Sequence, residues 1–130
     1  MEYTYTLNEF PGSLARSGFM PYQAGADQKK ALIRYQISLG DQHDGKPFLK
    51  GPLLMNIIFY MPIPKNKPIE LYDGMLSTAK PPICELEKFI QQAAMGVLYA
   101  NACSIVSVVK HKICDKNPRI VFTLREIDGK

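Results

Sequence analysis

Apolar and polar positions alternate from the start of the chain, with Tyr3, Tyr5 and Leu7 set between Glu2, Thr4 and Thr6. That period of two predicts a strand with one buried face, ended by Pro11 and Gly12. Residues 11–26 are rich in Gly, Pro and Ser, carry a lone Arg16, and predict a loop. Over residues 27–39, Ala31, Leu32, Tyr35 and Ile37 fall near helical spacing, with Asp27 placed to cap the helix. A second loop containing Gly40, Asp41, Asp44, Gly45 and Pro47 leads to a strand over residues 53–60. Leu53, Met55, Ile57 and Phe59 share one face of it, and the other face is also largely apolar, which predicts a central strand. Residues 61–82 hold five of the ten prolines and predict an extended connection that opens with MPIPKNKP. The clearest helix spans residues 83–98, where Ile83, Leu86, Ile90, Ala93 and Val97 make one continuous stripe. Strands follow over residues 104–110 and 119–126, the last with Ile120, Phe122 and Leu124 inward, and their short link predicts an antiparallel hairpin.

Strand, helix, strand, helix, strand, strand is the pattern of an α/β (α+β) domain, a mixed sheet covered on one face by two helices. At 130 residues the chain has room for one such core, so residues 1–130 are read as a single domain. Hydrophobic residues make up 46% and no low-complexity run occurs, which excludes a disordered tail. A net charge of +4, spread over lysine pairs such as Lys29 and Lys30, Lys65 and Lys67, and Lys110 and Lys112, is compatible with a nucleic-acid partner. Three cysteines, Cys84, Cys103 and Cys114, stand in no metal-ligand spacing and point to free thiols in a reducing compartment, hence a cytoplasmic protein. The first residues lack the plan of a signal peptide and the most apolar stretch is too short to span a bilayer, so no membrane partner is expected.

No GxxxxGK, GxSxG or HExxH occurs. His43 and His111 have no carboxylate or cysteine at ligand spacing and are read as surface histidines. Glu85 and Glu87 point in different directions on one helix and are read as first-turn charge that complements the helix dipole.

Three runs carry a resemblance over most of residues 51–126: GPLLMNIIFYMPIPK, then KPPICELEKFIQQAAMGVLYANACSIVSVVKHK, then PRIVFTLRE. In order and spacing they resemble the RusA family of Holliday junction resolvases. That resemblance implies a homodimer of phage or prophage origin that uses magnesium to cut four-way DNA junctions. In the family the start of the second run reads approximately K-P-D-x-D-N-L-x-K, and the stretch that matches GVLYANACSIV carries an acidic pair. Here the metal-binding aspartates fall on Pro82, Cys84 and Ala102, beside Asn101 in the later pair, and the lysine of the motif falls on Lys88.

Only that lysine, vestigial in this setting, is retained. Magnesium needs several oxygens in octahedral array, whereas Pro82 and Ala102 have no side-chain oxygen and Cys84 supplies soft sulfur. The expectation is therefore a catalytically inactive relative, without a cofactor, that binds branched or duplex DNA or the machinery that handles it. Lys65, Lys67, Lys80, Lys88 and Lys110 are the candidate phosphate contacts. One alternative is an inhibitor that reuses the fold to block a host protein. Another is an active magnesium nuclease with displaced ligands among Glu70, Asp73, Glu85 and Glu87. Cys84 and Cys103 are read as small buried residues filling an abandoned site, with a redox or soft-metal pair as the alternative.

Overall fold

The computed structural model describes residues 2–8, 25–79 and 82–127, so Arg16, Lys80 and most of the loop predicted over residues 11–26 lie outside the described residues. Four strands form one mixed sheet: β1 (Glu2–Leu7), β2 (Leu53–Met61), β3 (Ile105–Cys114) and β4 (Arg119–Glu126). Their order is β1-β4-β2-β3, with β4 antiparallel to both its neighbours and β2 parallel to β3. A parallel pair needs a crossover, which α3 (Ile83–Ala94) supplies. The other helices are α1 (Gly25–His43) and the single turn α2 (Ile69–Tyr72).

The alternating residues of the strands meet on the helix-covered face. Tyr5 and Leu7, Leu53 to Met61 at every second position, and Ile120, Phe122 and Leu124 are all buried there, and β2 is central as its pattern predicts. On α3 the buried stripe is Leu86, Phe89, Ile90, Ala93 and Ala94, and Phe89 meets Tyr35 of α1 edge to face at 5.3 Å. The helix ends at Ala94, four residues short of the predicted Leu98, because Gly96 takes a positive φ of 83° and turns the chain.

Three expectations need correction. First, α1 starts before Asp27, which is therefore not its cap, and runs through Gly40 to His43. Its core stripe is Ala31, Tyr35, Leu39 and His43, four residues apart, while Ile37 is 60% exposed. Second, His43 is not a surface residue: it is 4% exposed, with Nδ1 2.9 Å from the Tyr5 hydroxyl and Nε2 2.8 Å from the Pro47 carbonyl. His111 is exposed.

Third, β3 and β4 are not a hairpin. β3 continues to Cys114, and the chain then crosses the end of β2 to place β4 on its far side. Pro62 has no N–H with which to extend the ladder past Met61, and the Asp115 N–H donates to the Met61 carbonyl as the chain leaves β3. Arg119 pins the crossing. Its guanidinium lies 3.7 Å from the Tyr60 ring centroid and donates to Asp115 Oδ1 at 3.1 Å and the Asn117 carbonyl at 2.9 Å. On the outer edge of β3, Gly74 to Ser77 add a short bridged segment, so the 61–82 connection is not uniformly extended.

The backbone N–H of Asn117, followed by Arg119, holds the Asp115 carboxyl below its ordinary value of 3.8. A depressed carboxyl contributes stability above the unfolded pKa and loses it as pH falls through the folded value. Acid titration of stability below pH 4 is thus expected to be shallower in Asp115→Asn than in the parent chain. Superimposable acid profiles would remove Asp115 from the crossing.

Candidate nucleic-acid interface

Pro82 precedes the first turn of α3 and offers no side-chain cap. Because Leu86, Phe89 and Ile90 take the face toward the sheet, Cys84 and, one turn on, Lys88 point outward and are exposed. Glu85 is half-buried. Glu87 is committed: Lys110 of β3 donates to its Oε1 as an ion pair, and Gln91 donates to its Oε2 at 2.9 Å. Lys110 sits opposite Ile57 in register, on the helix side of the sheet edge, which is what brings it beneath α3. Its neighbour on the same side, Lys112, donates to the Ala79 carbonyl, and burial holds its amine below the ordinary lysine value.

Ala102 lies beyond the other end of α3, in a short 3₁₀ turn from Ala102 to Ser104 capped by Asn101, whose side chain accepts from the Cys103 N–H at 2.9 Å. Along the chain, Pro82 and Cys84 stand at the start of α3 and Ala102 lies past its end. Glu70 stands in the first turn of α2 and Asp73 caps its end, both exposed. Among the described residues no three His, Cys, Asp or Glu side chains gather as a metal site. The positions that the resemblance assigns to the metal do not fit magnesium: Cys84 offers sulfur, Pro82 and Ala102 have no polar side-chain atom, and the Asn101 amide oxygen already accepts from the Cys103 N–H.

The cysteine reading also changes. Cys84 and Cys103 are exposed free thiols, not buried filler, and the buried one is Cys114 at the end of β3. Outward-facing helix and turn positions leave the first two no core to fill.

Lys65 and Lys67 are exposed in the turn that follows β2. Sequence reasoning missed their companion, Lys116. The crossing of β3 into β4 carries it to an open groove of about 450 Å³, lined by Pro62, Ile63, Pro64, Lys67, Pro118 and neighbours. Nothing in the spacing of Lys67 and Lys116 signals this; only the true strand order does.

No helix among the described residues is long and apolar enough to cross a membrane. Among curated proteins, the uncharacterized protein YqaN of Bacillus subtilis (strain 168) is 24% identical over 109 residues, covering 78% of this chain and 77% of that protein. The family model described as Endodeoxyribonuclease RusA matches residues 19–125. With that match running through both long helices and to the penultimate residue of β4, the chain belongs to the RusA endodeoxyribonuclease family, a family of Holliday junction resolvase-like DNA-binding proteins.

Proposed function

We propose that this protein is a non-cleaving member of its family, a homodimer encoded by a phage or other mobile element, that binds branched or duplex DNA. The observation that carries the reading is the chemistry around α3. Pro82, Cys84 and Ala102 stand where the family resemblance puts its metal-binding aspartates, and Glu87, next to Lys88 in sequence, is already paired with Lys110. With no carboxylates gathered among the described residues, a hard cation has no site there to activate a hydroxide. Lys65, Lys67 and Lys88 remain exposed for phosphates, with Lys80 a fourth candidate on sequence grounds. Lys110, held by Glu87, contributes least.

A host-protein partner is the second reading, supported by Ile69, Leu71, Met75 and Leu76, which are exposed together along the segment after β2. A salt-titrated binding assay on four-way junction and duplex, with magnesium or manganese present, separates the readings. Binding without strand cleavage is expected, and Lys88→Ala should flatten the log-log salt slope by about 0.9 while Lys110→Ala leaves it almost unchanged. Cleavage lost in Glu85→Gln or Glu70→Gln would replace the proposal with displaced ligands, and no salt-dependent DNA binding at all would favour the protein partner.

A further inference from the structure

We propose that the groove at the end of β2 receives one unpaired nucleotide of a single-stranded DNA segment, its phosphate between Lys67 and Lys116 and its base against the proline wall. The inference rests on the DNA-binding reading above and specifies which part of a branched substrate the protein holds.

The groove is assembled from two loops. Pro62, Ile63 and Pro64 leave β2 on one side with Asn66, Lys67 and Ile69 following, and Lys116 and Pro118 arrive from the crossing on the other. Three prolines and two isoleucines make its walls apolar, two lysines give it positive charge, and no carboxylate lines it. Asp115, the acid beside Lys116, is occupied by Arg119 and the Asn117 N–H. Proline fixes φ on both sides, and the stacked Arg119 and Tyr60 anchor the crossing, so the recess exists before any ligand arrives.

That combination selects among forms of DNA. A paired base is stacked inside the duplex and turns only its edges outward, so a duplex has use for the lysines and none for an apolar recess. An unpaired nucleotide presents a flat apolar face and a phosphate together, and every base has such a face to pack against proline and isoleucine walls, so the contact is tolerant of sequence. The volume of about 450 Å³ suits one nucleotide and not a run of them.

The test compares three DNAs by fluorescence anisotropy at one salt concentration: a blunt duplex, the same duplex with an oligothymidine tail, and that duplex with an abasic tail of equal length. The tailed duplex is expected to bind about tenfold tighter than the blunt one, with the abasic tail losing most of that gain. In Lys67→Ala/Lys116→Ala the preference should vanish while blunt-duplex affinity falls less. Equal affinity for all three DNAs, with duplex binding intact, overturns the groove assignment and leaves the DNA-binding reading standing. Equal gain from thymidine and abasic tails reduces the groove to a phosphate contact and overturns it too. Binding of an acidic peptide with no DNA bound overturns both. The abasic comparison uses the unaltered protein, so it decides even if the double variant fails to fold.

Discussion

Phe122→Ala is expected to lower the stability of the fold by about 3–5 kcal/mol. Phe122 has no exposed surface and stands at the middle of β4, flanked in register by Ile57 of β2 and Tyr5 of β1, with its ring centroid 5.3 Å from that of Tyr5. Truncation removes the transfer energy of a ring and leaves a cavity that three strands border. The strands are held by ladder bonds on both sides of β4, so they cannot close the gap, which places the loss toward the upper end of the range. Denaturant unfolding should show a lower midpoint with an unaltered slope. A loss under about 1 kcal/mol would mean that β4 is not the strand sandwiched between β1 and β2.

The inward set of β4 is legible in sequence because a half-buried strand advertises its register residue by residue, and Ile120, Phe122 and Leu124 all lie where alternation puts them. Strand order is not written that way. β3 and β4 are joined by four residues, a length that suits a hairpin equally well, and the crossing shows only in the pairing of β4 with β2. Gly40 reads as a helix stop, yet α1 continues past it because the next stripe position, His43, is buried and hydrogen-bonded. Tertiary burial there outweighs a local cost of about 1 kcal/mol.

The candidate site divides in the same manner. The chemistry of Pro82, Cys84 and Ala102 follows from residue type alone, as does the exposure of Lys88 once the α3 stripe is drawn. The commitment of Lys110 to Glu87 does not, since it depends on β3 pairing with β2 in the register that sets Lys110 opposite Ile57, under the helix. Lys116 joins Lys67 only through the crossing. Charges that look equivalent in sequence therefore separate into Lys110, paired with Glu87, and cations that are exposed and in no ion pair among the described residues, Lys88 on α3 and Lys67 and Lys116 at the groove. That separation is why the salt slope is expected to respond to Lys88 and not to Lys110.

Replacing His43 should be the other large loss, about 2–4 kcal/mol for His43→Ala, although a histidine at a helix end would ordinarily be dispensable. The Pro47 carbonyl can only accept, so Nε2 carries a hydrogen and donates to it, while Nδ1 is hydrogen-bonded to the Tyr5 hydroxyl. One ring thereby ties the last turn of α1 to β1 and to the loop that enters β2. Removing it strands two polar groups and opens a hole beside the Tyr3 and Tyr5 rings, which it contacts at centroid distances of 5.9 and 6.1 Å. Tyr5→Phe strands one nitrogen and keeps the packing, so about 1–2 kcal/mol is expected, and the double variant should lose less than the sum. Burial, with Tyr3 adding to it, pushes the Tyr5 hydroxyl up to about 12 from 10.0. A raised pKa contributes stability in full below the unfolded value and loses it as pH rises through the folded one. Stability of the parent chain should therefore decline between pH 10 and about 12, and Tyr5→Phe should take a smaller share of that decline. Thermal melts across that range decide it: identical alkaline slopes in parent and variant, or a His43→Ala protein as stable as the parent, would leave the Tyr5–His43–Pro47 link with no role in holding α1 on the sheet.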